Sequence, residues 1–192
     1  MYFLSYISGD NLILIDGQFS IPFVIISIVF AIVGSYTAFT MHDRVDDNSL
    51  IPKSLWFFLA SFALGFGIWA MHYMGMFAFE LPIKVHFDAL LTVLSIIPVL
   101  VAAYVSFYLS YKKKHSLKIG ILSSSILGLG VIMMHSLGMT SMISETHHQY
   151  HFGTFVLAFV IAFFSFFLFY TVRTYLQKRN INDYDFWYKD DK

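Results

Sequence analysis

The sequence predicts an all-α, polytopic transmembrane helical bundle of about five spans, N-out and C-in, with an internal helix-pair repeat. Three observations carry that prediction. Apolar residues make up 58% of the chain and charged residues only 12%, at a mean hydropathy of +0.69, which lies outside the composition of a soluble globular domain. Five apolar runs, at 20–41, 55–79, 89–111, 117–143 and 152–177, each reach the roughly 20 helical residues that cross a hydrocarbon core of about 30 Å. The connections HDRVDDNS (42–49), LPIKVHFD (81–88), YKKKHS (111–116) and SETHHQYH (144–151) are polar and too short to hold a separate domain. Lipid offers the backbone no hydrogen-bond partner, so each run must satisfy its own amides as a helix.

The elements follow in order. Residues 1–19 lack a basic n-region and carry Asp10 and Asp16, so they read as an extracytoplasmic N-terminal segment and not as a cleavable signal. Residues 20–179 form the membrane domain, and 180–192 a short cytoplasmic tail. Positive charge near a helix end is retained on the cytoplasmic side. Arg44 and Lys53 follow the first span, Lys112, Lys113, Lys114 and Lys118 separate the third from the fourth, and Arg173, Lys178, Arg179, Lys189 and Lys192 close the chain. Only Lys84 falls opposite. Spans two and four therefore run outward, which puts His72 and His135 in their outer halves, while His86, His147, His148 and His151 occupy outer loops. The expected location is the cell (cytoplasmic) membrane, as a multi-pass protein.

GFGIWAMHYMGMFAF (65–79) aligns without gaps with GLGVIMMHSLGMTSM (128–142). A fainter pair lies on the returning helices, where SIVFAIVGSYTAF (27–39) matches SIIPVLVAAYVSF (95–107) with Ser27/Ser95, Tyr36/Tyr104 and Phe39/Phe107 in register. AFFSFFLFY (162–170) reads as a third, degraded copy. Duplication of a supersecondary unit that packs on its own copies produces this pattern. The unit reads as a motif helix joined to the helix that returns after it, which makes spans two and four parallel.

Residues three and four apart share a helix face, so Gly65, Ile68, His72, Gly75 and Met76 form one stripe and Gly128, Val131, His135, Gly138 and Met139 its copy. Each histidine has a thioether one turn further out, beside glycines that let a neighbour approach. If the stripes converge, two imidazoles and two thioethers face one point. Such an uncharged N₂S₂ set suits a soft monovalent ion, Cu(I), better than zinc, magnesium or calcium. The chain has no cysteine, which excludes disulfides and thiolate sites. Haem is the competing reading, with His72 and His135 as axial ligands. A lone membrane histidine bonded to a neighbouring hydroxyl or carbonyl is an ordinary structural feature. The second copy at equal depth favours ligation, since polar groups in hydrocarbon are costly to retain.

Other features weigh less. The His147, His148 and His151 loop fits a solvated turn better than a metal site. Glu80, Asp88 and Glu145 either orient an imidazole or mark the membrane surface. Met41-His42 lacks the following Gly-Met and stands outside the site. Zero net charge and no basic face argue against nucleic acid as a partner. No carboxylate pair, activated nucleophile or phosphate loop suggests an enzyme, and transport ranks behind sensing because only Pro98 interrupts a span.

Met-His-x-x-Gly-Met near the outer ends of alternate membrane helices resembles the MHYT domain of bacterial integral membrane sensors, over nearly all of residues 20–177. The resemblance implies a sensor module whose Met and His residues bind copper and perceive oxygen, carbon monoxide, nitric oxide or redox state. Carried over by position, its ligands are Met71, His72 and Met76 in one copy and Met134, His135 and Met139 in the other. Members of the family usually carry three such motifs and a fused signalling domain, often for cyclic di-GMP turnover. This chain has two, has Ser136 where the first copy has Tyr73, and has only NINDYDFWYKDDK after Arg179. The resemblance therefore implies a separate output protein as partner, besides the lipid bilayer, and leaves a homo-oligomer open.

Overall fold

The computed structural model describes residues 4–8, 11–15, 18–46, 51–80, 86–112, 116–143 and 152–188. Two short strands, β1 (Leu4–Ser8) and β2 (Asn11–Ile15), pair antiparallel ahead of the bundle. Strand β3 (Gln18–Phe19) leads into α1 (Ile21–Asp43), and a 3₁₀ turn at Arg44–Asp46 follows. Helix α2 (Lys53–Ala78) ends in β4 (Phe79–Glu80), and β5 (His86–Phe87) opens the third span, α3 (Ala89–Leu94) with α4 (Ile96–Lys112). Helix α5 (Leu117–Ser141) ends in β6 (Met142–Ile143), and α6 covers Phe152–Tyr188. Among the described residues five helical segments are long and apolar enough to cross a membrane, as the sequence predicts.

Two local features differ from the sequence reading in detail, although it already marks Pro98 as the one interruption of a span. The third span is interrupted at Ser95, three residues before Pro98. Proline offers no amide to the carbonyl four residues back and its ring crowds that carbonyl, so the helix yields one turn earlier. The freed geometry is held by Ser95, whose hydroxyl donates to Thr92 O at 2.7 Å. The second difference is a set of antiparallel pairings, β1–β2, β3–β4 and β5–β6, which the all-α reading did not contain. The strands of β3–β4 and β5–β6 are two residues long, too short for alternation to be legible in sequence; β1 and β2, five residues each, lie in the stretch read only as an N-terminal segment.

The repeat is visible in backbone contacts. Ser20 N donates to Ala78 O at 2.8 Å beside the β3–β4 ribbon, and Asp88 N donates to Ser141 O at 2.8 Å beside β5–β6. Each pair of residues is the repeat image of the other. The helix crossings match as well: a methyl added at Gly34 would lie 2.7 Å from Gly67 Cα, and one added at Gly130 would collide with Ala102 Cβ. Gly34 and Ala102 are equivalent positions of the returning helices, Gly67 and Gly130 of the motif helices. The closest packing is thus between each motif helix and the helix before it, α1 with α2 and α4 with α5. Packing between lipid-bathed helices comes from close backbone approach, and the small residues decide which helices approach.

Away from the motif end, Phe57, Ala60, Leu64, Ala102, Ala103, Phe107, Leu127 and Phe166 build an apolar core. Helices α1 and α6 are peripheral, with Ile25, Ile28, Ile32, Val160, Phe164 and Leu168 exposed on their outer faces, as a lipid-facing surface requires.

Replacing Gly130 by leucine forces α4 and α5 apart. The expected loss is about 1–3 kcal/mol of stability, the usual cost of overpacking. Thermal unfolding of the detergent-solubilised chain reads it, with Gly153→Ala, where nothing lies within 4 Å of an added methyl, expected to match the parent.

Candidate functional site

The ends of α2 and α5 converge where the ribbons pair. There His72 Nδ1 stands 3.5 Å from His135 Nδ1, with ring centroids 4.9 Å apart and the planes inclined at 73°. The histidines of the two repeat copies therefore meet across the helix interface. A separation of 3.5 Å is long for a hydrogen bond between ring nitrogens. Two nitrogens at roughly 2.0 Å from one ion stand about 3.3 Å apart in tetrahedral geometry and about 4.0 Å apart in linear geometry. The pair already has the spacing of two donors to a single ion.

The surroundings are close-packed and unequal. Gly138 of the second copy lies against the His72 ring, since a methyl there would sit 2.6 Å from Nε2 and 3.1 Å from Cδ2. Among the described residues, His72 Nε2 is buried without a hydrogen-bond partner. Phe155 of α6 packs edge-on against the His135 ring at 5.4 Å, and Tyr73 against that of His72 at 5.3 Å. Gly75, the counterpart of Gly138, has no atom of the described residues within 4 Å of the place its side chain would take.

Of the sequence-predicted residues, the two imidazoles are brought into contact. Met71 and Met76 flank His72 along α2, both half-buried, while Met134 and Met139 flank His135 along α5. Met134 is fully buried at 1% exposure, and Met139 is half-buried. Among the described residues no cluster of three His, Asp or Glu side chains forms. Asp88 accepts from Leu91 N at 2.8 Å and caps α3, where the sequence left it between an imidazole partner and a surface marker. His147, His148, His151 and Glu145 lie outside the described residues, as does the Glu80 side chain.

Two groups went unrecognised in the sequence. The first anchors the site. Tyr73 is buried, its hydroxyl 3.2 Å from Ser95 Oγ and 3.3 Å from Ser141 Oγ. Trp69 Nε1 donates to Ser95 Oγ at 3.0 Å and to Thr92 O at 3.1 Å, and Ser141 donates to Gly138 O at 2.6 Å. Trp69 and Tyr73 are one turn apart on α2, so they fix its rotation beside His72 from two points, at the Ser95 break in the third span. Their repeat counterparts, Ile132 and Ser136, cannot do the same. The four-residue spacing of Trp69 and Tyr73 was the available signal; their hydroxyl partners were not.

The second group lies at the opposite end. His42 is fully buried and stacked on Phe107 at 4.7 Å. Its Nε2 accepts from Arg173 Nη1 at 2.9 Å, because a guanidinium can only donate. Arg173 Nε also donates to Asp43 Oδ1 at 2.6 Å. His42 therefore ties α1 to α6.

The chain matches the MHYT family model, described as a bacterial signalling protein N-terminal repeat, over residues 65–122 and 128–180. It is 34% identical over 160 residues to the cyclic di-GMP phosphodiesterase NbdA of Pseudomonas aeruginosa, covering 83% of this chain and 20% of that protein. It is 34% identical over 120 residues to the bifunctional diguanylate cyclase/cyclic di-GMP phosphodiesterase MucR of the same organism, covering 62% of this chain and 18% of MucR. To the signalling protein YkoW of Bacillus subtilis it is 28% identical over 141 residues, covering 72% and 17%. The chain thus spans about a fifth of the length of the curated relatives it matches. No solved structure matches it.

Tyr73→Phe leaves two buried serine hydroxyls short of a partner and is expected to cost about 1–2 kcal/mol, measured by chemical or thermal unfolding in detergent. His42→Ala empties the space on Phe107 and removes an acceptor from a buried guanidinium, with an expected loss of about 2–4 kcal/mol in the same measurement.

Proposed function

This chain belongs to the MHYT family of bacterial signalling-protein repeats, and from that premise we propose that it is a membrane sensor module holding a copper ion between His72 and His135. The observation that carries the reading is the 3.5 Å approach of the two Nδ1 atoms, contributed by the two copies of one motif. Met76 and Met139, one turn beyond each histidine, supply thioethers, and Met71 and Met134 complete the ligand set carried over from the family. Imidazole and thioether donors without charge favour Cu(I). When bound, copper supplies a redox-active centre that small diatomic molecules can reach. The chain's own residues fix where it sits: Tyr73 and Trp69 hold α2 in rotation, and Phe155 and Gly138 close the flanks. Those filled flanks weaken the haem reading, since a macrocycle needs lateral room around an axial pair.

The distribution of Lys and Arg supports a topology in the bacterial cytoplasmic membrane with the motif end outside, where an extracytoplasmic signal arrives. NbdA and MucR carry cyclic di-GMP turnover in their names. The role proposed here is signal reception rather than enzyme chemistry, with cyclic di-GMP turnover as the output, performed by a partner domain or protein. A change at the His pair reaches the opposite end through α5 and α6.

Chain purified in detergent from copper-supplemented cells is expected to hold about one copper per chain and to show no Soret band. The His72→Ala/His135→Ala double variant is expected to hold none by elemental analysis. Copper in the parent no higher than in that variant contradicts the proposal, and a Soret band lost in the variant supports haem instead.

A further inference from the structure

Gly75 and Gly138 occupy the same place in the two motif copies, yet their surroundings are opposite. Beside Gly75 no atom of the described residues lies within 4 Å of an added methyl; beside Gly138 lies the Nε2–Cδ2 edge of the His72 ring, 2.6 and 3.1 Å from where a methyl would be. That edge is the one facing away from His135, because Nδ1 is the atom 3.5 Å from its partner. Among the described residues His72 Nε2 is buried with no hydrogen-bond partner, so none of their polar groups holds this edge of the ring. What holds it is the absence of a side chain at Gly138.

The backbone that forms this seat is itself tied down. Ser141 donates to Gly138 O at 2.6 Å and lies 3.3 Å from the Tyr73 hydroxyl, and an added methyl at Gly138 would also come within 3.4 Å of that hydroxyl. Tyr73 directly follows His72 in the chain. The same tyrosine therefore anchors the turn of α2 that carries the imidazole and the turn of α5 that receives it.

We propose that Gly138 is a positioning residue for His72, seating the imidazole of the other motif copy so that Nδ1, and not Nε2, is the nitrogen offered to the ligand. The proposal rests on the reading of the histidine pair as an ion site. It makes the two motif glycines unequal: Gly138 shapes the site and Gly75 does not. A methyl at Gly138 has to displace the ring edge, which swings Nδ1 away from His135.

The test uses the full chain in detergent micelles, labelled with ¹⁵N-histidine and titrated with Ag(I), a closed-shell probe with the ligand preference of Cu(I). His72→Ala and His135→Ala assign the ring signals. Silver coupling on His72 Nδ1, with Nε2 uncoupled, is the expected result; coupling on Nε2 overturns the proposal. Gly138→Ala is expected to weaken Ag(I) binding by about tenfold or more, the usual effect of losing a group that orients a ligand, while Gly75→Ala binds as the parent does. Equal binding by Gly138→Ala and the parent overturns it. Should no chain bind silver, the ion-site reading fails separately and the metal-free spectra decide the seat. His72 and His135 ring signals that shift in Gly138→Ala but not in Gly75→Ala uphold it, and unshifted signals refute it. If Gly138→Ala does not fold, the double variant His72→Ala/Gly138→Ala decides: recovery of folding shows that the ring was the obstacle, and failure to recover refutes the seat.

Discussion

Close backbone approach between helices, made possible by side chains of one carbon or none, is the constraint on which this bundle depends. Between apolar helices in lipid there is no water to expel, so contact must come from surfaces that fit. Gly34 against Gly67 and Ala102 against Gly130 bring each motif helix within backbone distance of the helix before it. These crossings set the lateral spacing of α2 and α5 across the third span. That spacing lets two imidazoles from different helices meet at 3.5 Å.

The two ends of the bundle use polar groups differently. At the motif end the ribbons β3–β4 and β5–β6 clamp helix termini together, and the Trp69–Ser95–Tyr73–Ser141 network fixes rotation near the histidines. At the opposite end His42, Arg173 and Asp43 join the first and last spans over an aromatic floor of Phe107 and Phe57. Both arrangements place polar side chains near the end of a span, where they bond to one another and the cost of removing them from water is smallest. The long apolar stretches between carry the bundle across the bilayer.

The repeat is not a symmetry of the site. The same motif gives a Gly138 filled by a neighbouring ring and a Gly75 with no described atom against it, a Tyr73 with two hydroxyl partners and a Ser136 in the corresponding place of the second copy. Duplicated helices in a chain with two ends cannot occupy identical environments: α2 is packed between α1 and α4, whereas α5 is packed between α4 and α6. The copies have diverged in the residues that meet those neighbours.

By itself the sequence determined the class of the protein, its spans, the duplicated motif and the residues worth suspecting. These follow from composition, run length and helical spacing, all of which are local and repeat along the chain. It also separated His42 from the motif, because the Gly-Met that follows His72 and His135 is missing there. It marked Pro98 as the one interruption of a span but could not place the break at Ser95, and it could not show the ribbons β3–β4 and β5–β6, whose strands are two residues long. It could not show that each motif helix packs most closely on the helix before it, since equal apolar runs carry no record of which pair approaches. The meeting of the two imidazoles, the seat at Gly138 and the hydroxyl partners of Tyr73 were decided by tertiary structure alone. Each joins residues far apart in the chain, and only the crossing geometry of the helices fixes their distance and rotation.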